Sequence, residues 1–238
     1  MDAAIYKTLS GSMAQTHRLE VASQDLANVN TAGYKGQRLS FSEVLAKRLP
    51  ADDRPGGLVA VGAQRTNFGP GVLQGTGNPF HLAIEGDGFF VVQTARGERY
   101  TRNGGLTLKA DGTVITAEGD PILGEGGPLQ LSDGGNFEVG SDGTVRSNNN
   151  EIGKLRLVRF IDGGKAVKEG ANLFRSDGAN TGEATGARIV QGNLEQSNVS
   201  PIDSMVALIS INRQFESYER AMKLMDSMTE KMIGDSSR

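Results

Sequence analysis

Glycine is distributed very unevenly along this chain, and that distribution limits where helices can form. Of the 33 glycines, 29 lie between residues 56 and 192, three lie in residues 1–55, and one lies after residue 192. Because a glycine inside a helix costs about 1 kcal/mol relative to alanine, the central segment is not expected to be helical. The two glycine-poor ends carry no such penalty. The sequence therefore predicts an α+β chain in which two long terminal helices flank a glycine-rich β body.

Turn signals and strand signals alternate through the central segment. Six Asp-Gly dipeptides occur there, and this pair suits tight turns because both residues tolerate a positive φ. Between them lie short β-prone runs such as 89–92, 106–108, 113–116 and 155–160. The irregular spacing of the dipeptides argues against a repeat solenoid. We therefore expect residues 58–192 to form an irregular, all-β antiparallel sandwich or barrel.

The N-terminal segment predicts a helix of about 27 residues with a weak apolar stripe. Apolar residues recur at steps of three and four, but small polar residues interrupt the stripe, so it would stabilise an isolated pair of helices poorly. The residues predicted to face another subunit are Ile5, Tyr6, Leu9, Met13, Leu19 and Leu26.

The C-terminal segment carries a stronger, heptad-like stripe that predicts a coiled-coil-like contact. Ser200 can cap this helix, Pro201 suits its first position, Asp203 lies three residues after the serine, and Gly234 is the predicted stop. A helix of about 32 residues is too long to be buried by a small β domain, so its stripe needs the N-terminal helix or another subunit as a partner. The predicted interface residues are Leu208, Ile211, Phe215, Tyr218, Met222, Met225 and Met232.

Composition argues against several classes of function. A net charge of −3 does not favour bulk electrostatic binding of nucleic acid, and the absence of cysteine excludes disulfides and thiolate sites. The two histidines, His17 and His81, do not make a multi-histidine metal site, and the adjacent Asp52 and Asp53 lie in a Pro/Gly-rich linker. No apolar run approaches the ~18 residues of a membrane span, and the N-terminus lacks a secretory-signal pattern. We predict no enzyme, no cofactor and no metal site.

Four segments resemble a known family. Residues 26–35, LANVNTAGYK, resemble the N-terminal signature of the flagellar rod and hook family, and residues 191–200, QGNLEQSNVS, resemble the element before that family's last helix. Residues 86–92 and 100–104 resemble segments that rod proteins with a β body share. The opening residues MDAAIY and the modest length favour the proximal-rod member of the family over the distal-rod member.

The resemblance implies a non-enzymatic subunit of the bacterial flagellar basal-body rod, which assembles helically with itself and with other rod proteins to transmit torque from motor to hook. It implies export by the flagellar type III apparatus without a cleaved signal peptide, a place in the periplasmic rod, no nucleic-acid partner and no membrane insertion. On this interpretation residues 1–36 and 193–238 form an inner helical layer and residues 58–192 an outer body. Residues 37–57 are expected to form a short amphipathic helix and then a linker.

The signature turn after the first helix consists of Asn28, Asn30, Thr31, Gly33 and Tyr34. Asparagine and threonine favour turns because their side chains compete for backbone hydrogen bonds, and a glycine at positive φ can end a helix. We expect this segment to stop the helix and turn the chain, with exposed asparagine and Tyr34 side chains contacting neighbouring subunits.

Three alternative functions remain open from the sequence. One is a distal-rod subunit, and another is a secreted β-rich adhesin that oligomerises through its C-terminal helix, against which the N-terminal signature argues. The third is an enzyme with a site in the β body, although no nucleophile and base combination supports it.

Overall fold

The chain divides into two compact units. The computed structural model describes residues 2–44, 58–131, 136–148, 150–161, 166–170, 172–177 and 181–236. One unit comprises residues 1–27, 37–65 and 200–238, and we call it the helical unit. The other comprises residues 28–36 and 66–199, and we call it the β unit.

The helical unit is built on two long helices, α1 (Asp2–Ala27) and α2 (Pro201–Ser236), which contact each other along their length. They run antiparallel, because Thr8 approaches Met225 whereas Gln15 hydrogen-bonds to Gln214. The predicted pairing of long terminal helices around a β body is therefore confirmed. Strands β1 (Gln37–Val44) and β2 (Leu58–Thr66) pair as a two-stranded sheet.

Two local predictions for this unit are wrong. Residues 37–44 form β1 and not an amphipathic helix, since Leu39 and Phe41 alternate with serines at the period of a strand. Helix α2 continues past Gly234 to Ser236, so that glycine is not the stop. The predicted linker at residues 50–57 lies outside the described residues.

The β unit contains many short strands, and every described pairing between them is antiparallel, as predicted. The strands are β3 (Leu73–Gly75), β4 (Leu82–Glu85), β5 (Phe89–Thr94), β6 (Gly97–Thr101), β7 (Leu106–Leu108), β8 (Val114–Thr116), β9 (Leu123–Gly124), β10 (Gly127–Pro128), β11 (Phe137–Val139), β12 (Thr144–Ser147), β13 (Asn150–Lys154), β14 (Leu157–Phe160), β15 (Ala166–Glu169), β16 (Leu173–Ser176), β17 (Thr181–Glu183), β18 (Arg188–Gln191) and β19 (Asn193–Glu195). The largest sheet has six strands in the order β15-β16-β6-β5-β14-β17.

Strand β5 lies between two hydrophobic cores, and this position explains its continuous apolar run. Phe90 and Val92 pack into one core with residues of β4, β7, β8, β11 and β12. Phe89 and Val91 point the other way, into a second core that contains Tyr100. A strand that is buried on both faces needs apolar residues at successive positions, so the run 89–92 follows from this placement.

Two of the Asp-Gly pairs form the tight turns that the sequence predicts. Gly112 and Gly143 have φ of +82° and +89°, and they connect β7 to β8 and β11 to β12. At Asp87 the positive φ falls instead on the preceding Gly86, at +100°. These turns set the register of the hairpins that surround the first core.

Candidate assembly site

The signature turn is fixed inside the β unit. Helix α1 ends at Ala27, and the Thr31 amide donates to the Asn28 carbonyl at 3.0 Å. The Gly33 amide then donates to the Glu195 carbonyl at 2.7 Å. Gly33 has φ +71°, and a Cβ there would lie 2.3 Å from the backbone nitrogen of Asn103. This glycine therefore permits a close approach of two backbones, and its predicted role as the helix terminator is wrong, since the helix ends six residues earlier.

Next to Gly33 lie three buried charged residues, Lys35, Arg102 and Glu195, which we call the buried ion cluster. Lys35 Nζ lies 2.6 Å from Glu195 Oε1, and Arg102 Nη1 lies 3.0 Å from Glu195 Oε2. The side chains are 0%, 2% and 1% exposed for Lys35, Arg102 and Glu195. One carboxylate thus bridges two cations without access to water.

Backbone groups supply further hydrogen bonds to the buried ion cluster, although the buried Arg102 Nε has no partner among the described residues. Lys35 Nζ donates to the Gly69 carbonyl at 2.7 Å, and the Gly71 amide donates to Glu195 Oε1 at 2.8 Å. Arg102 Nη1 also donates to the Ile84 carbonyl at 2.9 Å. Five separate segments of the chain therefore meet at the buried ion cluster.

Burial dominates the electrostatics of the two cations. Removal from water lowers the pKa of Lys35, and the hydrogen bond and charge of Glu195 oppose that shift. Burial likewise lowers the pKa of Arg102, again opposed by Glu195. Since both cations depend on one carboxylate, Glu195 is the residue on which the cluster most depends.

Tyr34 is fully buried, so the prediction that its side chain is exposed is wrong. Lys168 Nζ lies 3.4 Å from the centroid of the Tyr34 ring, within cation–π distance, and donates to the Lys35 carbonyl at 2.8 Å. Strand β15 therefore covers the signature turn and holds it against the body.

Asn198, which belongs to the C-terminal signature, links that signature to the N-terminal one. Its Nδ2 donates to the carbonyls of Asn67 and Gly69 at 2.8 and 2.9 Å, and its Oδ1 accepts from the Gly36 amide at 2.9 Å. The Asn198 amide donates to the Tyr34 carbonyl at 3.3 Å. The N-terminal and C-terminal signatures therefore form one hydrogen-bonded junction within the β unit.

Sequence reasoning missed the buried ion cluster, although a signal for it existed. Lys35, Arg102 and Glu195 each fall in one of the segments that resemble the rod and hook family. A charged residue in each of three separate signature segments is the pattern that a buried, mutually compensated cluster leaves in a sequence.

In the helical unit, the predicted stripe of α2 is the face that α1 partly covers. A Cβ on Gly11 of α1 would lie 2.8 Å from the Tyr218 ring, so the glycine makes room for the tyrosine. The half-buried residues of the predicted stripe are Leu208, Ile211, Phe215, Tyr218, Met222 and Met225. At Met232 the structure describes the backbone alone.

Helix α1 turns a different face to α2 from the apolar one that the sequence emphasises. Its buried face consists of Thr8, Gly11, Ala14 and Gln15, while Leu9 and Met13 are 47% and 57% exposed. Gly11 lies on the contact face because the absence of a side chain there leaves room for the aromatic ring of Tyr218. Of the other residues predicted for the subunit interface, Leu19 and Leu26 are half-buried, and the structure describes only the backbone at Ile5 and Tyr6.

The start of α2 carries a side-chain cap. The Asp203 amide donates to Ser200 Oγ at 3.3 Å, the Ser204 amide donates to the Ser200 carbonyl at 3.0 Å, and Pro201 is the first helical residue. Neither helix in the described ranges has a stretch apolar enough to span a membrane.

Comparison with known proteins identifies the class. Residues 83–147 match the family described as "Flagellar hook protein FlgE/F/G D1 domain", and residues 190–234 match "Flagellar basal body rod FlgEFG protein C-terminal". These ranges contain Arg102 and Glu195. The chain is 38% identical to the flagellar basal-body rod protein FlgF of Caulobacter vibrioides, over 97% of this chain and 95% of that protein. It is 31% identical to FlgF of Mesorhizobium japonicum, over 98% and 97%, and 28% identical to FlgG of Bacillus subtilis, over 97% of each.

The chain therefore belongs to the flagellar basal-body rod protein family, whose members are structural and non-enzymatic. Within that family it is a FlgF-like, proximal-rod subunit.

Proposed function

We propose that this chain assembles helically with further copies of itself and with homologous rod proteins, and that the resulting rod transmits torque from motor to hook. The observation that carries the mechanical part is the junction between the two signatures. Helix α1 enters the junction through residues 28–36, and α2 leaves it after Val199. A load on either helix therefore reaches the same buried ion cluster through a few residues of backbone.

We infer that α1 and α2 form an inner layer of the assembled rod and that the β unit forms its outer layer. Coiled-coil-like helices suit repeated close contacts along an axis, whereas short strands joined by polar turns suit a solvated exterior. The residues predicted to lie at subunit interfaces are on these helices. Residues 28–36, which the sequence grouped with the inner layer, hydrogen-bond within the β unit.

Family membership also supports export through the flagellar type III apparatus, without a cleaved signal peptide, to a rod in the periplasm. We expect the chain to be missing from the cell envelope in a strain whose flagellar export apparatus is inactivated. Normal envelope levels in that strain, detected with an antibody to the chain, would argue for another route.

Deletion of the gene in its own host tests the assembly role. We expect non-motile cells whose basal bodies, viewed by electron microscopy, lack a complete rod, and we expect the wild-type gene to restore swimming. Normal swimming after deletion would refute the proposed function.

A matched pair of variants tests the helix pair. Phe215→Asp introduces a charge at a half-buried position facing α1, whereas Ser217→Asp introduces the same charge at an exposed position two residues away. We expect the first variant to lose swimming and rod assembly while the β unit keeps its amide-exchange protection. The second variant should swim normally. Equal swimming of both would contradict the role assigned to this face.

A distal-rod position is the second candidate, because the chain also aligns with FlgG relatives over nearly its whole length. Counting the chain in basal bodies isolated from a strain without the host's separate FlgG-type rod protein distinguishes the two positions. Retention of the chain in such basal bodies supports the proximal position, and its loss supports the distal one.

A further inference from the structure

Strand β3 has an outer side that no described strand covers. It pairs with β19 alone, as a two-stranded sheet. Val72 and Leu73 are 76% and 37% exposed, and Gln74 and Gly75 are exposed as well. We call residues 72–76 the β3 edge. A strand edge of this kind offers backbone hydrogen-bonding groups to an extended chain that approaches it.

The hydrogen bonds to β19 show which backbone groups of the β3 edge point outward. The Val72 carbonyl and the Thr76 amide both bond to the segment around β19, each at 2.8 Å. Successive residues of an antiparallel strand turn their backbone groups to opposite sides, so the even-numbered residues of this edge bond towards β19. The amides and carbonyls of Leu73 and Gly75 therefore point away from β19, and no described residue bonds to them.

The β3 edge lacks the features that usually prevent pairing. Residues 71–77 read GVLQGTG and contain neither a charged residue nor a proline. By contrast, the two outer strands of the six-stranded sheet carry charges, Lys168 and Glu169 in β15 and Glu183 in β17. Charged side chains and prolines are common means by which proteins keep an exposed edge from pairing. Their absence indicates that β3 pairs with a strand of another chain.

We propose that the β3 edges of two copies pair antiparallel about a two-fold axis through Gln74, and that the resulting dimer exists outside the rod. In this register the outward groups of Leu73 meet those of Gly75 in the other copy, which gives four hydrogen bonds across the axis. The pairing also joins two two-stranded sheets into one sheet of four strands, and a sheet of that size is more stable than an isolated pair of strands.

Neighbouring backbone groups exclude the two adjacent symmetric registers. An axis through Leu73 would place Gly75 opposite Gly71, whose amide already donates to the buried ion cluster at 2.8 Å. An axis through Gly75 would place Leu73 opposite Gly77, whose amide already donates to a backbone carbonyl beside β19 at 3.1 Å. Of these three axes, the one through Gln74 alone opposes two free residues to two free residues.

The side chains of the β3 edge suit the same register. Leu73 of each copy lies beside Gly75 of the other, where there is no side chain to compete for space. The two Gln74 side chains face each other, and each amide carries both a donor and an acceptor. A second copy of this chain is therefore the partner, because the edge is complementary to itself.

The symmetry of the contact places the dimer outside the rod. Subunits of a helical rod all point in one direction, so a two-fold contact cannot repeat along it. The dimer also leaves no free β3 edge to recruit a third chain. The place outside the rod rests on the proposed function, whereas the pairing itself does not. Unassembled copies then protect this edge in the dimer and separate before they join the rod.

Cysteine cross-linking tests the pairing, because the chain contains no cysteine of its own. The Cα atoms of a non-hydrogen-bonded antiparallel pair lie about 4.5 Å apart, which a disulfide can span. Purified full-length Gln74→Cys should therefore cross-link to itself on oxidation. Val72→Cys is the matched control, since the two copies of residue 72 would lie about 13 Å apart in this register. We expect a several-fold higher yield from Gln74→Cys, and equal yields would overturn the proposal.

A mixture of Val72→Cys and Thr76→Cys chains tests the register without changing the residues at its centre. These two positions lie opposite each other across the axis, so we expect a 72–76 product several-fold above the 72–72 and 76–76 products. A yield of 72–76 product no higher than that of the symmetric products would contradict the register.

An added charge tests whether the β3 edge carries the contact. Leu73→Lys in the Gln74→Cys chain places two lysines beside the axis, and we expect the cross-link to fall several-fold. Thr107→Lys adds the same charge at an exposed position of β7 and should leave the yield unchanged. Unchanged near-UV circular dichroism of both variants shows that the β unit is folded. The same effect from both lysines would refute the pairing.

Cross-linking in the host separates this inference from the proposed function. A strain that carries Gln74→Cys should yield the 74–74 product outside basal bodies and none within isolated basal bodies. A 74–74 product within basal bodies, or its absence from both fractions, would overturn the dimer outside the rod. Normal swimming of the deletion strain would refute the proposed function, and the cross-link of the purified protein would still stand.

Discussion

Replacing Glu195 by glutamine should destabilise the β unit strongly, although glutamine has nearly the same shape. The amide oxygen can still accept from the Gly71 amide, so the backbone contact survives. Lys35 and Arg102 are then left as two buried cations with no carboxylate between them. Removing one partner from a buried ion pair costs about 3–5 kcal/mol, because the remaining charge is neither solvated nor compensated.

The size of this effect can be checked against a variant that removes a cation instead. Lys35→Met leaves the Glu195–Arg102 pair intact and lowers the number of buried charges. The Gly69 carbonyl loses the lysine donor but still accepts from Asn198. We expect a smaller loss of about 1.5–3 kcal/mol, the range of a single hydrogen bond to a charged group.

Urea unfolding of each full-length variant measures these free energies. The chain has no tryptophan, so near-UV circular dichroism reports on the tyrosines, among them the buried Tyr34. At about 2–4 °C per kcal/mol for a chain of this size, Glu195→Gln should lower Tm by roughly 6–20 °C. An unfolding free energy for Glu195→Gln equal to or above that of Lys35→Met would refute the reasoning.

Two further predictions concern the same unit. Gly33→Ala should cost at least about 1–3 kcal/mol from its positive φ, with more from the contact of the new Cβ with Asn103, and unchanged urea unfolding would contradict this. Glu169 accepts a hydrogen bond from Arg99 at 2.9 Å, which lowers the pKa of that carboxyl. Because the folded pKa lies below the unfolded one, near 4.3, this stabilisation is complete at pH 7 and is lost as the pH falls through the folded pKa. Glu169→Gln should therefore be less stable than the wild type at pH 7 and equally stable near pH 2, and a gap that stays constant with pH would argue against this ion pair.

The sequence predicted those features that repeat locally. The heptad spacing of α2 identified the covered stripe, because each step of three or four residues returns to the same face of a helix. The glycine distribution placed the β body for a similar reason, since backbone preference is a property of single residues.

The face of α1 depended on a contact that no local pattern contains. Hydrophobicity emphasised Leu9 and Met13, whereas the observed contact uses Gly11, because Tyr218 occupies the space that a side chain would fill. Likewise, Gly33 was predicted to end a helix. Its positive φ instead lets the backbone pass close to that of Asn103, 70 residues further along the chain. Such fits between distant segments are visible only after folding.

The buried ion cluster likewise depends on residues that are far apart in the sequence. Lys35 and Glu195 are 160 residues apart, and the sequence around either residue does not indicate that it pairs with the other. Their presence in segments resembling one family was the available clue. Tyr34 was misplaced because an isolated tyrosine in a turn is often exposed, whereas here Lys168 stacks on its ring.

The distance in sequence between Lys35 and Glu195 also constrains when the β unit can finish folding. Before Glu195 has been synthesised, Lys35 and Arg102 lack the carboxylate that compensates their charges in the folded β unit. Both side chains are then expected to stay in water, because burying an unpaired charge is costly. Contacts of such long range slow folding, because a large loop must close before any gain is realised. The β unit therefore cannot complete its buried ion cluster until the segment that contains Glu195 has been synthesised.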